Sequence, residues 1–309
     1  MNAWVVAPQM GIMFLFMLLG YALTRMGRFS DVTSTEMSYQ VITLFCPAMI
    51  LYGVVSDRSV RPGTLLEMGV IVAVAYAFLL LLAAVMGPLL RVPRERYADY
   101  KLMTVFGNIG FIGFPIINAV LGGKGMSYAV LFNLGFNLLI YTYGVLVLGR
   151  SGEGEKQPIR WRRLINPGTV SGLLAILWLI FRPPVPAPVL NCLDYLGSVV
   201  TYMTVAIIGH TLAYIPLKEV FRDKRIYLFV LLRCVLVPVL AGLILKRLVD
   251  NLLIIRISVL ILSMPVANLP MMMAHEAGKE TETLTKGIVV STVLSIFTII
   301  LVTSLVEWF

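Results

Sequence analysis

The sequence predicts an all-α integral membrane protein of ten transmembrane helices in two inverted five-helix repeats, and three observations carry that prediction. Hydrophobic residues make up 59% of the 309 residues and charged residues 13%, with a mean hydropathy of +0.90. Soluble domains run near half apolar and a quarter charged. Apolar stretches of spanning length recur along the whole chain, which excludes a soluble domain on one anchor. Two of those stretches, at corresponding places in the two halves, are interrupted, the first by Gly, Asn and Pro and the second by Pro and Asn. The formal charge of +9 would point to nucleic acid in a soluble protein. Here it is explained by basic loops that set topology, and the expected surroundings are a lipid bilayer and no nucleic acid.

The ten predicted spans cover 4–24, 38–55, 64–88, 100–121, 127–149, 167–181, 192–213, 226–249, 256–275 and 285–306. The first lacks a basic leader and a small-residue cleavage site, so it is read as a retained span and not a signal peptide. The second carries Pro47 and the fourth the first interruption. The sixth is short, but Asn166 and Pro167 read as its N-cap and first helical residue. The eighth contains Arg233 and the ninth the second interruption. Cys46 and Cys234 fall inside spans and Cys192 at an edge, so they imply neither a disulfide framework nor a CxxC site.

With the N-terminus outside and residues at span ends counted with the adjoining loop, 17 Lys and Arg fall on the inside and 7 on the outside, and Arg233 alone lies deep within a span. That split places both termini outside, in a multi-pass protein of the cell inner membrane. The most polar connection, "RSGEGEKQPIRWRRLIN", leaves five spans on either side. Residues 1–149 then form the first repeat, 150–166 a cytoplasmic linker and 167–309 the second repeat. Five is odd, so related halves must be inverted, a signature of secondary transporters.

The first interruption is "GNIGFIGFP", with Asn108, Ile109, Gly110, Gly113 and Pro115. The second is "SMPVANLP", with Pro265, Asn268 and Pro270. Placing Pro115 on Pro270 also brings Ala119 onto Ala274 and Gly123 onto Gly278. Non-helical backbone at membrane depth is tolerable only where it is buried in protein or lines a cavity. Each break starts a new half-helix whose free N–H groups and positive dipole end face the interior. Two such ends approaching from opposite sides favour an anion, and Asn108 and Asn268 add side-chain donors.

The blocks "GNIGFIGFPIINAVLG" and "YAVLFNLGFNLLIYTYGV" resemble those of the auxin efflux carrier family, which includes plant PIN carriers and bacterial carriers of small carboxylates. "CPAMILYGVV", "NPGTVSGLL", "LLRCVLVPVL", "MPVANLPMMMAHEAG" and "KGIVVSTVLSI" are similar to family blocks in the same order. The resemblance covers essentially the whole chain and is most specific at 107–115. It implies crossing broken helices in a fold like that of sodium–proton antiporters and bile acid symporters. It also implies scaffold and transport domains each drawn from both repeats, a homodimer and an elevator-type motion. By the same resemblance, Asn108 contacts a substrate carboxylate, Pro265 and Asn268 contribute from the second break, and Pro47 marks the contribution of span two. Span seven departs from the pattern, with Tyr202 in place of a helix-interrupting proline and His210 in place of a small residue.

Arg233, about two turns into its span, is read as a gating or structural residue bonding a carbonyl, since a buried charge is costly and its family position also tends to hold arginine. His210 could couple protons, but the simpler reading is a histidine hydrogen-bonded at the interface. Asn133 and Asn137 lie one turn apart and are expected to face protein, Asn137 in a gating or structural role. No Asp or Glu falls deep within a predicted span, which argues against a carboxylate-pair ion exchanger. Two histidines, no HExxH and no deep acids offer no intramembrane enzyme a nucleophile–base pair or metal cluster. The function expected is elevator-type transport of a small organic anion, such as malonate, malate, lactate or an auxin-like acid. No cofactor is expected, and the coupling ion, H+ or Na+, stays open. The alternatives are a sodium- or proton-coupled symporter of a larger organic acid and, from a different class, an anion channel.

Overall fold

Apolar helices whose ends are set by caps, prolines and glycines build the molecule, here described from a computed structural model covering residues 3–56, 62–149, 165–214 and 223–307. The first helix, α1, spans Ala3–Arg25. Ser30 opens α2 (Asp31–Gln40), its hydroxyl accepting from Thr33 N at 3.2 Å. A π-helical turn, Val41–Phe45, then leads without a break into α3 (Cys46–Val55), with Pro47 in the first turn of α3. The helix of span two therefore starts seven residues before the predicted 38, because the Ser30 cap lets polar sequence continue it. After α4 (Pro62–Leu89) and a short 3-10 turn, α5 (Tyr97–Val105) ends at the first interruption.

The π-helical turn Ile109–Gly113 and α6 (Phe114–Leu139) restart the chain, which continues through a second π turn into α7 (Val145–Gly149). A straight helix over 109–149 would be about 60 Å long, twice the bilayer core. Gly122 resolves this with φ 58° and ψ −154°, a conformation open to glycine that separates two helical runs. In the second half follow α8 (Pro167–Phe181) and α9 (Ala187–Tyr214). Then come α10 (Lys224–Leu231), a π turn over Leu232–Leu236 and α11 (Val237–Leu248). The chain closes with α12 (Leu252–Leu262), α13 (Leu269–Glu276) and α14 (Glu282–Glu307).

The fold is all-helical among the described residues. Six helical segments are long and apolar enough to cross a bilayer: 31–55, 66–89, 109–149, 187–214, 224–248 and 282–305. Shorter apolar helices cover 10–25, 167–181 and 252–262. Leu66, Val70, Val74, Phe78, Leu81, Val85 and Leu89 make an exposed stripe along α4, a face that suits lipid and not water. The cytoplasmic linker predicted over 150–166 lies outside the described residues except for Ile165 and Asn166. Arg58, Arg61, Lys218 and Arg222 from the charge count also lie outside them.

Two groups of helices can be told apart by packing. α9 packs on α1 and on α2–α3, which packs on α8; α4 packs on α5, and α10–α12 pack with α14; α6 touches both sets, and α1 also packs on α14. Glycine brings the backbones of the first set together. A Cβ on Gly209 of α9 would lie 2.0 Å from Met17 O of α1, and one on Gly20 would lie 2.2 Å from Ala206 O. Small residues allow this close approach where no hydrophobic effect drives helices together in lipid.

Candidate functional site

The two interruptions meet. Gly107 and Val266 form an antiparallel bridge in which Asn108 N donates to Pro265 O at 2.7 Å and Ala267 N to Phe106 O at 3.0 Å. Ser291 of α14 supports the second strand-like segment, its Oγ accepting from Val266 N at 3.0 Å. The opened backbone is thus paired within the protein, which answers the cost of breaking a helix away from water.

Arg233 holds the other side of the crossing. It is 2% exposed; its Nε donates to Thr104 O at 2.5 Å and one terminal nitrogen donates to Leu262 O. Thr104 and Leu262 stand at the C-terminal ends of α5 and α12, the two half-helices that run into the breaks. One cation therefore satisfies carbonyls at two negative helix ends. A Cβ on Gly107 would lie 3.6 Å from the remaining guanidinium nitrogen, so the charge sits directly behind the bridge.

On the front of the crossing lies a cavity of about 230 Å³. The first break lines it with Asn108, Ile109, Gly110 and Phe111, and the second with Ala267, Asn268 and Leu269. Val41, Ile42 and Cys46 of the α2–α3 run line it too, as do Asn133, Phe136, Asn137 and Tyr141 of the α6–α7 run. Asn166 and Gly168 at the start of α8 complete it. Among these lining residues there is no acid and no base.

The amide groups divide into used and unused donors. Asn108 Oδ1 caps the first break by accepting from Phe111 N at 3.1 Å, while its Nδ2 has no partner among the described residues. Asn268 precedes α13 without any side-chain cap bond. Gly110 and Leu269, in the first turns of the two half-helices, have N–H groups with no partner among the described residues. By contrast Asn137 is fully engaged, its Nδ2 donating to Asn133 O at 3.0 Å and its Oδ1 accepting from Asn166 Nδ2 at 3.3 Å.

The other predicted site residues do not line this cavity. Pro115 and Pro270 occupy first-turn positions of α6 and α13, where their missing N–H costs nothing. Pro265 supplies the carbonyl that holds Asn108, and Gly113 N donates to Asn108 O at 3.0 Å. Pro47 sits one residue beyond the lining Cys46. His210 is remote from the cavity. Buried at 4% exposure, it bonds Thr24 Oγ1 through Nδ1 at 2.9 Å, and its Nε2 lies 3.1 Å from Asp31 Oδ1. It thereby ties α9 to the end of α1 and the start of α2.

Asn133 and Gly168 were not among the sequence-predicted binding residues, although the spacing of Asn133 and Asn137 marked a protein-facing helix side. Nothing in sequence sets the start of α8 beside that face. Asp99 is a buried acid just before the predicted span 100–121. Burial pushes its carboxyl up to about 6, against the opposing pull of Arg96 and a hydrogen bond from Thr283. Arg96 also pairs with Glu280 at 3.2 Å, joining the start of α5 to the α13–α14 connection. Neither group reaches the cavity.

Residues 5–303 match the sequence profile of a family described as membrane transport protein. The chain is 24% identical over 214 residues to an uncharacterized transporter of Methanocaldococcus jannaschii, covering 67% of this chain and 69% of that one. It is 27% identical over 189 residues to an uncharacterized transporter of Methanothermobacter thermautotrophicus, covering 61% of each chain.

Proposed function

We propose that this chain, which belongs to the membrane transport protein family, the auxin efflux carrier family its motifs resemble, is a secondary carrier of a small organic anion. The observation that carries the proposal is the cavity at the crossing: unpartnered amide donors from both breaks face a space without a single carboxylate. Neutral donors and positive helix ends bind an anion without fixing it so firmly that it cannot leave. The Arg233 charge, spent on two carbonyls behind the bridge, adds positive potential there without closing on the anion.

In this reading the ten predicted spans form two inverted five-helix repeats. α1, α2–α3, α8 and α9 act as scaffold, and the helices around the crossing move against it as the transport unit. The cavity lies where the α2–α3 wall faces the breaks, so sliding along that wall would carry the anion across. Asn166 and Gly168 open α8 just after the 150–164 connection, which the charge distribution places inside. The conformation is therefore read as inward-facing. The close α1–α9 backbone contact suits an immobile scaffold, and a homodimer through scaffold faces in the cell inner membrane completes the proposal.

Counterflow in proteoliposomes tests it. A carrier loaded internally with unlabelled carboxylate accumulates labelled carboxylate transiently and saturably. A channel shows no trans-stimulation, and that result would refute the proposal.

A further inference from the structure

The cavity has a second polar region, lined by elements other than the two breaks, that the carboxylate-binding reading does not use. It is built where α8 begins beside α6. Asn133 is 8% exposed and lines the cavity, yet its side-chain amide bonds no protein group among the described residues. Its Nδ2 is aimed at the first turn of α8, where a Cβ on Gly168 would lie 3.7 Å from it.

The donors of that turn can be accounted for one by one. Pro167 has no N–H, Thr169 N donates to Asn166 Oδ1 at 3.0 Å, and Val170 N donates to Asn166 O at 2.9 Å. Gly168, which lines the cavity, has an N–H without a partner among the described residues. Asn166, engaged by Asn137 and by its own helix, holds the turn in place. A buried amide left unmade beside an unmet helix N–H is costly unless a ligand or water completes it.

We propose that Gly168 N–H and the Asn133 amide form a second subsite that takes a hydrogen-bond acceptor at the far end of the substrate. The substrate class is then a bifunctional acid: one carboxylate at the crossing of the breaks, a second acceptor at the start of α8, and a short hydrocarbon between. Phe111, Phe114 and Phe136 supply apolar wall for that middle. A space of about 230 Å³ holds a short chain, well below the usual volume of a drug-sized site. The inference rests on the reading of the crossing as a carboxylate site. It adds that Asn133 determines specificity.

Binding to the purified full chain in detergent tests it with acids of matched length: glutarate, its monomethyl ester, and the plain monocarboxylate pentanoate. Glutarate and the half-ester should bind more tightly than pentanoate, glutarate by roughly 10- to 100-fold, as expected for one buried hydrogen bond to a charged group. Asn133→Leu should erase that advantage while leaving pentanoate within about threefold of wild type. Asn133→Ala, measured alongside, covers the case in which leucine disturbs packing. Equal binding of all three acids by wild type, or equal weakening of all three by both variants, would overturn the second subsite while leaving the anion carrier intact. If no acid binds wild type, the carboxylate reading fails and this inference with it.

Discussion

Replacing Arg233 separates a structural cation from a substrate-binding one. Arg233→Met keeps length and apolar bulk but leaves Thr104 O and Leu262 O without their donor, in surroundings 0% and 3% exposed. A buried acceptor deprived of its partner costs about 1–3 kcal/mol, so two cost about 2–6 kcal/mol. Removing a buried cation offsets part of this, since its desolvation alone is worth several kcal/mol. The net expectation is a loss of about 1–4 kcal/mol. For a chain of this size that is a fall in melting midpoint on the order of 2 °C per kcal/mol, read by intrinsic fluorescence in detergent. Arg233→Lys keeps the charge but cannot fork to two carbonyls, and it should fall between wild type and methionine. Carboxylate affinity of the lysine variant should follow its folded fraction. A methionine variant that melts like wild type, or a lysine variant with native melting but abolished binding, would refute the assignment of Arg233 to the half-helix ends.

Three further outcomes follow from other contacts. Asn108→Asp keeps the oxygen that caps Phe111 N but replaces the unpartnered amide with a buried anionic oxygen, so carboxylate binding should fall by roughly 100-fold or more, with some loss of melting midpoint from the buried charge. Gly209→Ala forces a methyl into the Met17 carbonyl and should cost about 1–3 kcal/mol of stability, whereas Gly69→Ala on α4, with nothing within 4 Å, should be neutral or stabilising. Because the folded Asp99 carboxyl titrates at about 6, above the unfolded value of about 3.9, its contribution is fully present below pH 4 and lost as pH rises toward and through 6. That loss is at most about 3 kcal/mol, and melting of Asp99→Asn should be flatter than wild type across this window.

The breaks were legible because Asn and Pro, joined in the first by Gly, are rare together inside apolar runs, so "GNIGFIGFP" and "SMPVANLP" stood out from their own spans. Their direct contact was not legible, since the bridge from Gly107 to Val266 joins residues far apart in sequence and leaves no local periodicity. The start of α8 was legible from Asn166 and Pro167, whose capping chemistry is local. Its position beside Asn133 depends on helix packing and could not be read from either segment alone. Arg233 stood out as a charge in an apolar span, but its two acceptors lie on different helices from its own. The π turn ahead of Pro47 was hidden too: it changes the register of a helix whose apolar composition is unbroken, and it turns Val41 and Ile42 toward the cavity.

The central claim is that the crossing of the two breaks binds the transported anion through Asn108 and Asn268. Equilibrium binding of a labelled carboxylate to purified wild type, Asn108→Ala and Asn268→Ala tests it most directly, with melting measured on the same samples. The account predicts that each variant stays folded and loses affinity by roughly 10-fold or more, the scale of one lost hydrogen bond to a charged group. Variants that both match wild type for every carboxylate it accepts would contradict the account.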